Sequence, residues 1–271
     1  ERLVKAITPE TKAIVLVHAL GFNGLNDELI ELAKKHDLIL IEDCCEAHGA
    51  TYKNQKVGSV GDMSCFSFYF GHHITTIEGG MVCTNDPETY QLARMFRSHG
   101  MTREASEEVQ ARYASDDLNP LFTFAVPGYN MRSTEINAVL GLEQIKRLDY
   151  NIEVRQNNLA TWLKHLDSKM YYTDFDVTGN SNFALPLLVR AVRVNMADVT
   201  QVLESAGVEY RLGTAGGGNQ ARQPYLKKHP FRIAGPLRLS NFIHEQGLYV
   251  GNHTDLTEDQ IIQLCKELNN V

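Results

Sequence analysis

The stretch Leu38-Ile39-Leu40-Ile41-Glu42-Asp43-Cys44-Cys45-Glu46-Ala47-His48-Gly49-Ala50 decides the fold. Four consecutive aliphatic residues bounded by polar ones are too few for a helix of ordinary length and fit a buried strand over Leu38 to Glu42. The strand runs straight into a carboxylate, Asp43. Open α/β sheets place ligands at the carboxyl ends of their strands, so Asp43 is a candidate ligand contact. A helix cap or a solvated strand end explains the same residue equally well.

Upstream, Thr11 to Val17 reads as a short buried strand, and Asn26 to His36 as a helix with Leu29, Ile30, Leu32 and Ala33 turned inward. Together with the strand at 38 they form a β-α-β unit. Downstream, Ser64 to Tyr69 and Gly80 to Thr84 continue the strand pattern. Asp86 is placed to cap a helix over Pro87 to Ser98, with proline in its first turn. The class is therefore α/β, with helices layered on a sheet.

Residues 103–129 are polar and interrupted by Asn119-Pro120 and Pro127-Gly128, which predicts an extended surface segment. From Ser133, the spacing Ile136, Val139, Leu140, Leu142, Ile145, Leu148 predicts one long amphipathic helix continuing past Trp162 to Leu166. Beyond it come a strand at Phe183 to Arg190, a helix from Asn195 through Ala206 stopped by Gly207, and a last helix from Thr257 to Leu268. Gly213 to Gly218 is flexible in composition but lacks the lysine of a Walker loop. The expected division is a large α/β domain over 1–150, containing the start of the long helix, and a small α+β domain over 151–271.

Composition narrows the functions. The 271 residues are 43% hydrophobic and 22% charged, an ordinary globular balance. A net charge of −7 without a lysine or arginine run argues against nucleic acid or an anionic membrane as partner. The longest apolar runs fall far short of the roughly 20 residues that span a bilayer. Five cysteines, at 44, 45, 65, 83 and 265, form no C-x-x-C pair and read as small buried hydrophobes in a reducing cytoplasm, with no metal site expected. The chain opens on Glu1 with no signal segment, and an N-terminally incomplete chain is expected.

A second polar cluster, Ser67-Phe68-Tyr69-Phe70-Gly71-His72-His73, leaves another strand and precedes Glu78-Gly79-Gly80. Imidazole titrates near neutrality and serves as a base, but two adjacent histidines on a loop point in different directions, so at most one reaches a reaction centre. An ordinary loop pair is the competing explanation, and zinc lacks a third and fourth ligand at suitable spacing. From the residues alone the conclusion is a cofactor-binding α/β enzyme.

The order and spacing of Asp43-Cys44-Cys45-Glu46-Ala47-His48-Gly49-Ala50, Gly61-Asp62 and Ser67-Phe68-Tyr69 resemble the core motifs of the DegT/DnrJ/StrS sugar aminotransferase family. The likeness extends through Gly128-Tyr129-Asn130-Met131-Arg132, Gly218-Asn219, Arg222-Gln223-Pro224 and Gly247 to His253. It implies the aspartate-aminotransferase-like fold (fold type I) with pyridoxal or pyridoxamine 5'-phosphate as cofactor. In that family the residue five positions after the motif serine is a lysine bonded to the cofactor; here it is His72. This departure resembles the 3-dehydratase branch, in which a 4-keto-6-deoxy sugar linked to a nucleotide loses its 3-hydroxyl. The CDP-sugar dehydratases carry four further cysteines for an iron–sulfur cluster, and none lies between Cys83 and Cys265 here. A GDP-sugar substrate, with no iron–sulfur cluster, is therefore favoured over a CDP-sugar.

The resemblance implies roles for individual residues. His72 is the expected catalytic base, with His73 as the less favoured alternative. Asp43 is expected at the pyridine nitrogen, Ser67 at the cofactor phosphate, Glu46 near the ring, and Asn130 at the phosphate of a neighbouring subunit in a homodimer. His99, Arg222, Asn252 and His253 are expected to meet the sugar or nucleotide, while L-glutamate regenerates the amine form. An ordinary aminotransferase and a noncatalytic cofactor-binding relative are the rivals. An earlier segment carrying a phosphate turn and a stacking aromatic is expected before Glu1.

Overall fold

A computed structural model describes residues 2–213 and 217–271. A short helix α1 (Arg2–Ala6) precedes β1 (Ala13–Val17), α2 (Asp27–Lys35) and β2 (Ile39–Asp43). The small hairpin β3 (Thr51–Tyr52) and β4 (Gln55–Lys56) leads to β5 (Met63–Ser67) and β6 (Gly80–Thr84). The sheet order is β1-β2-β5-β6, parallel except for β6. Register aligns Val17 with Asp43 and Asp43 with Cys65, so the carboxyl ends of three strands form one edge.

Local chemistry explains the element boundaries. Asn26 caps α2 by accepting the Leu29 N–H at 2.8 Å, and Leu29 and Ala33 are buried against the sheet. Asp86 likewise accepts the Thr89 N–H ahead of α3 (Pro87–Phe96), whose first residue is proline as expected. Leu25, Leu38, Leu40, Ala47 and Val57 join this layer's core.

Two expectations need correction. Within 103–129 lies α4 (Glu107–Arg112), capped by Ser106 through the Val109 N–H at 3.4 Å and seated on buried Met95 and Ala105 by Val109. The predicted long helix is two helices, α5 (Glu135–Ile145) and α6 (Leu148–His165), because Arg147 leaves helical geometry at φ −110° and ψ 5°. The apolar periodicity runs through the break, but the two stripes meet different surroundings. Ile136 is 74% exposed and Leu142 65%, whereas Ile152, Leu159 and Trp162 are buried.

The C-terminal part packs β7 (Ala184–Leu188), α7 (Met196–Ser205), β8 (Tyr210–Leu212), α8 (Arg238–Gln246), β9 (Gly247–Gly251) and α9 (Glu258–Leu268). Its antiparallel sheet has the order β7-β9-β8. Gly207, at φ +68°, terminates α7, and a Thr257–Gln260 capping box starts α9. Trp162 fills the core and donates its indole N–H to the Pro186 carbonyl at 2.8 Å, satisfying the one polar atom that its burial removes from water. Part of the glycine-rich stretch, 214–216, lies outside the described residues.

Candidate active site

Asp43 ends β2 on the carboxyl edge, and the chain then folds back tightly. The Cys44 N–H donates to the Cys65 carbonyl at 2.9 Å, and the Cys45 N–H to Asp43 Oδ1 at 3.1 Å. Neither Asp43 oxygen meets a cation among the described residues. Glu46 continues the turn, and its Oε2 accepts the Leu20 N–H at 2.7 Å. Leu20 sits at φ +54°, so Glu46 holds a left-handed residue in the loop after β1. Burial raises the Glu46 carboxyl, the Leu20 bond opposes that rise, and nearby Asp43 adds to it.

His72 reaches this turn from the loop beyond β5. Its N–H closes on the Tyr69 carbonyl at 3.0 Å, and its ring Nδ1 bonds the Cys45 carbonyl. A carbonyl only accepts, so the ring proton stands on Nδ1 and Nε2 keeps its lone pair. Phe183 flanks the ring at 5.3 Å between centroids, Tyr69 at 6.0 Å and His48 at 6.4 Å. Burial lowers the basicity of His72; the Cys45 carbonyl and Asp43 oppose the shift, and Arg155 reinforces it.

The neighbouring histidine turns inward. His73 is 3% exposed and donates from Nε2 to the Ser181 carbonyl at 2.9 Å, tying the loop to the segment before β7. Burial, with Arg155 adding to it, pushes His73 down to about 3. His48, also 3% exposed, packs between Phe66 and Phe68, and burial takes it down to about 4.

A buried pair that the sequence reading missed lies beneath Asp43. Strand alternation turns Glu42 to the opposite face, where it is fully buried and accepts His18 Nε2 at 3.1 Å and the amides of Gly58, Val60 and Gly61 at 2.8, 2.9 and 2.7 Å. His18 Nδ1 accepts the Gly24 N–H at 3.1 Å, which places its proton on Nε2 toward Glu42. Burial alone would raise Glu42; His18 and the three amides outweigh it, and the carboxyl is lowered. This network joins the ends of β1 and β2 to the 58–61 loop. The Glu42-Asp43 doublet at a strand end, with its enforced opposite faces, was the available signal.

The other anticipated residues are dispersed. Ser67, the last residue of β5, accepts the Tyr69 N–H at 3.2 Å, leaving its hydroxyl proton for another acceptor. Asn130 and His99 lie together on a separate segment: Ser98 bridges Asn130, and the His99 N–H bonds the Tyr129 carbonyl at 2.6 Å. Asn130 is exposed, with Oδ1 taking Arg132 Nε at 3.1 Å. Arg222 pairs with Glu245 at 2.6 Å and with Asn241 at 3.1 Å, and exposed His253 faces Asp255 at 3.5 Å. Asn252, also expected at the substrate, lies inside the protein rather than at its surface. It is 3% exposed, accepts from Asn158 and donates to the carbonyls of Arg155 and Asn182, so its amide is used in joining α6 to β9.

The Cys45 and Cys65 sulfurs and an Asp43 oxygen lie within 4.8 Å of one another. The Cys65 hydrogen bond, then burial, raises the Cys45 thiol, while donation from Cys45 lowers Cys65. The thiols thus form a weakly polar wall beside the carboxylate. All five cysteines are free.

The sequence profile described as the DegT/DnrJ/EryC1/StrS aminotransferase family matches residues 1–269. A GDP-4-keto-6-deoxy-D-mannose 3-dehydratase of Yersinia pseudotuberculosis is 37% identical over 265 residues, covering 95% of this chain and 67% of the relative. The Escherichia coli GDP-4-keto-6-deoxy-D-mannose-3-dehydratase with bound hydrated PLP superposes with a TM-score of 0.90 at 32% identity, covering 98% of this chain and 69% of that one. A GDP-4-keto-6-deoxymannose-3-dehydratase with a trapped PLP-glutamate geminal diamine gives a TM-score of 0.89 at 33% identity, covering 98% and 70%.

Proposed function

This chain belongs to the DegT/DnrJ/EryC1/StrS aminotransferase family, and we propose that it removes the 3-hydroxyl of a GDP-linked 4-keto-6-deoxyhexose, with L-glutamate as amino donor and pyridoxal phosphate as cofactor. The observation that carries the reading is the bond between His72 and the Cys45 carbonyl, two residues beyond Asp43. It sets an imidazole with a free Nε2 beside the strand-end carboxylate.

The residues suit a phosphorylated pyridine. Among the described residues Asp43 meets no cation and would accept the ring N–H of a bound pyridinium, and the thiol wall suits an aromatic face. The Ser67 hydroxyl, whose oxygen accepts the Tyr69 N–H, keeps a proton that would be donated to the phosphate. When bound, the cofactor supplies an amine for the sugar ketone and a cationic ring that takes up electrons.

The protein's own contribution is proton handling and position. Nε2 of His72 takes a proton beside the cofactor and returns it to the departing 3-hydroxyl, which leaves as water. The lowered basicity of His72 keeps Nε2 unprotonated at neutral pH, as a base requires. Imidazole lacks the primary amine that would anchor the cofactor covalently, which disfavours amino transfer and leaves dehydration. The net change moves one oxygen from the sugar to account for the oxidation of glutamate to 2-oxoglutarate, with ammonia released. Glu46 supports the loop after β1, and His73 holds the His72 loop on the 181–183 segment.

The wider reading is a homodimer in which Asn130 of one subunit meets the phosphate in the other; its exposure and the bare apolar face of α5 support this. Arg222, His99 and His253, all exposed, remain candidates for the nucleotide sugar. No described helix is long and apolar enough to cross a membrane, and five free thiols suit a cytoplasmic setting.

The test is to incubate purified protein with PLP, L-glutamate and GDP-4-keto-6-deoxymannose. A sugar nucleotide one oxygen lighter, with stoichiometric ammonia, is expected. An amino sugar would instead mark an aminotransferase, and neither product a binding protein.

A further inference from the structure

Arg155, on α6 and close to the reaction centre, is a cation without a counter-charge among the described residues. Its Nη1 donates to the Phe183 carbonyl at 2.7 Å, and the Phe183 ring lies tilted 5.3 Å from the His72 ring and 6.1 Å from that of His73, centroid to centroid. Its own backbone carbonyl is held by Asn252 at 2.9 Å, so the buried Asn252 amide fixes the root of the side chain. Its Nε is buried and meets no acceptor. Arg155 forms no ion pair among the described residues, and burial alone pushes it down to about 10. Its charge still reaches the site, reducing the basicity of both His72 and His73.

A guanidinium offers five N–H donors in a planar fork, and a buried one is ordinarily paired. Among the described residues one donor is used and none meets a carboxylate. We propose that Arg155 is the seat for the α-carboxylate of the amino donor, an inference that rests on the function given above. The choice of anion follows from bond connectivity. In an α-amino acid the carboxylate is attached to the carbon bearing the reacting amine, so it must lie within a few ångströms of the group that His72 serves. In a nucleotide sugar the diphosphate leaves from carbon 1, across the ring from the reacting carbons, and falls farther from His72.

Calorimetric titration with glutarate, a dicarboxylate without the reacting amine, tests this on the PLP-loaded protein, with GDP as the control ligand. Arg155→Gln is expected to weaken glutarate about ten-fold or more, and Arg155→Lys about three-fold or more through loss of the fork, with GDP affinity unchanged in both. Should Arg155→Gln fail to fold, Arg155→Lys carries the test. Wild-type glutarate affinity in a variant that melts like wild type overturns the assignment, as does weakened GDP binding with glutarate intact. A wild-type protein that does not convert glutamate to 2-oxoglutarate overturns the functional reading itself. One that does, while its folded variants keep glutarate affinity, overturns only the role of Arg155.

Discussion

The Cys45 carbonyl accepts the Nδ1 proton of His72, and through that bond the turn after β2 determines which nitrogen of the imidazole is left basic. Asp43, two residues earlier, faces the same edge. The acidic group and the base are therefore positioned by one turn rather than by two independent loops.

His72→Gln removes the base while keeping a polar side chain of related reach. Dehydration is expected to fall about 10²- to 10⁴-fold, the usual worth of a positioned general base, with cofactor affinity nearly unchanged. Single-turnover sugar deoxygenation measures the first and dialysis against PLP the second. Because burial lowers His72, the acid limb of the wild-type rate profile should lie below the ordinary imidazole value of 6.5. A limb at or above that value would remove His72 from the role.

Stability should decline on mild acidification. His48 and His73 bind protons at about 4 and about 3 when folded, against 6.5 ordinarily. Below about 6.5 the unfolded chain therefore takes up protons that the folded chain refuses, and stability drops as pH falls toward those lowered values. Above 6.5 both states are neutral and the effect disappears. At pH 5 each histidine removes about 2 kcal/mol. Urea unfolding from pH 7.5 to 5 measures this, and His48→Leu should flatten the curve; equal slopes in variant and wild type would refute the assignment to His48.

Glu42→Ala leaves three amides and His18 Nε2 without their shared acceptor in a site closed to water. A loss of about 3–5 kcal/mol is expected from breaking a buried charged network on one side. Glu42→Gln, which retains one oxygen acceptor, should lose less. Denaturant midpoints decide, and a change under about 1 kcal/mol for the alanine variant would mean that the network relaxes freely.

What the sequence could and could not disclose follows from how far apart the partners lie. The β-α-β unit and the place of Asp43 at a strand end were readable because apolar periodicity and strand ends are local. The His18–Glu42 pair was not, since α2 and most of β2 lie between its members, and alternation alone tells which face Glu42 takes but not what waits there. The break at Arg147 was hidden because apolar spacing continues across it; only burial separates the two stripes. Asn252 was expected at the sugar because side-chain amides suit hydroxyls; its bonds to Asn158 and to the Arg155 and Asn182 carbonyls join residues 70 to 97 positions away, which spacing does not disclose. The helix at Glu107 was signalled by Ser106 with two acidic residues after it, a cap overlooked amid a polar stretch.

The apolar face of α5 supplies the last prediction. Ile136, Val139 and Leu142 recur at three-residue spacing, so they share one side of the helix, and all three are exposed. Tyr129 and Met131, on either side of Asn130, are exposed as well. A patch of this composition is unfavourable in water and marks an association surface. If a second subunit covers it and brings Asn130 to the cofactor phosphate, Val139→Asp should shift the protein to a monomer in sedimentation velocity and weaken PLP binding about ten-fold by removing a donor to a charged group. Asn130→Ala should weaken PLP to the same degree while leaving the dimer intact. A Val139→Asp variant that sediments as wild type, or a monomer that holds PLP as tightly as wild type, would break the link between this face and the site.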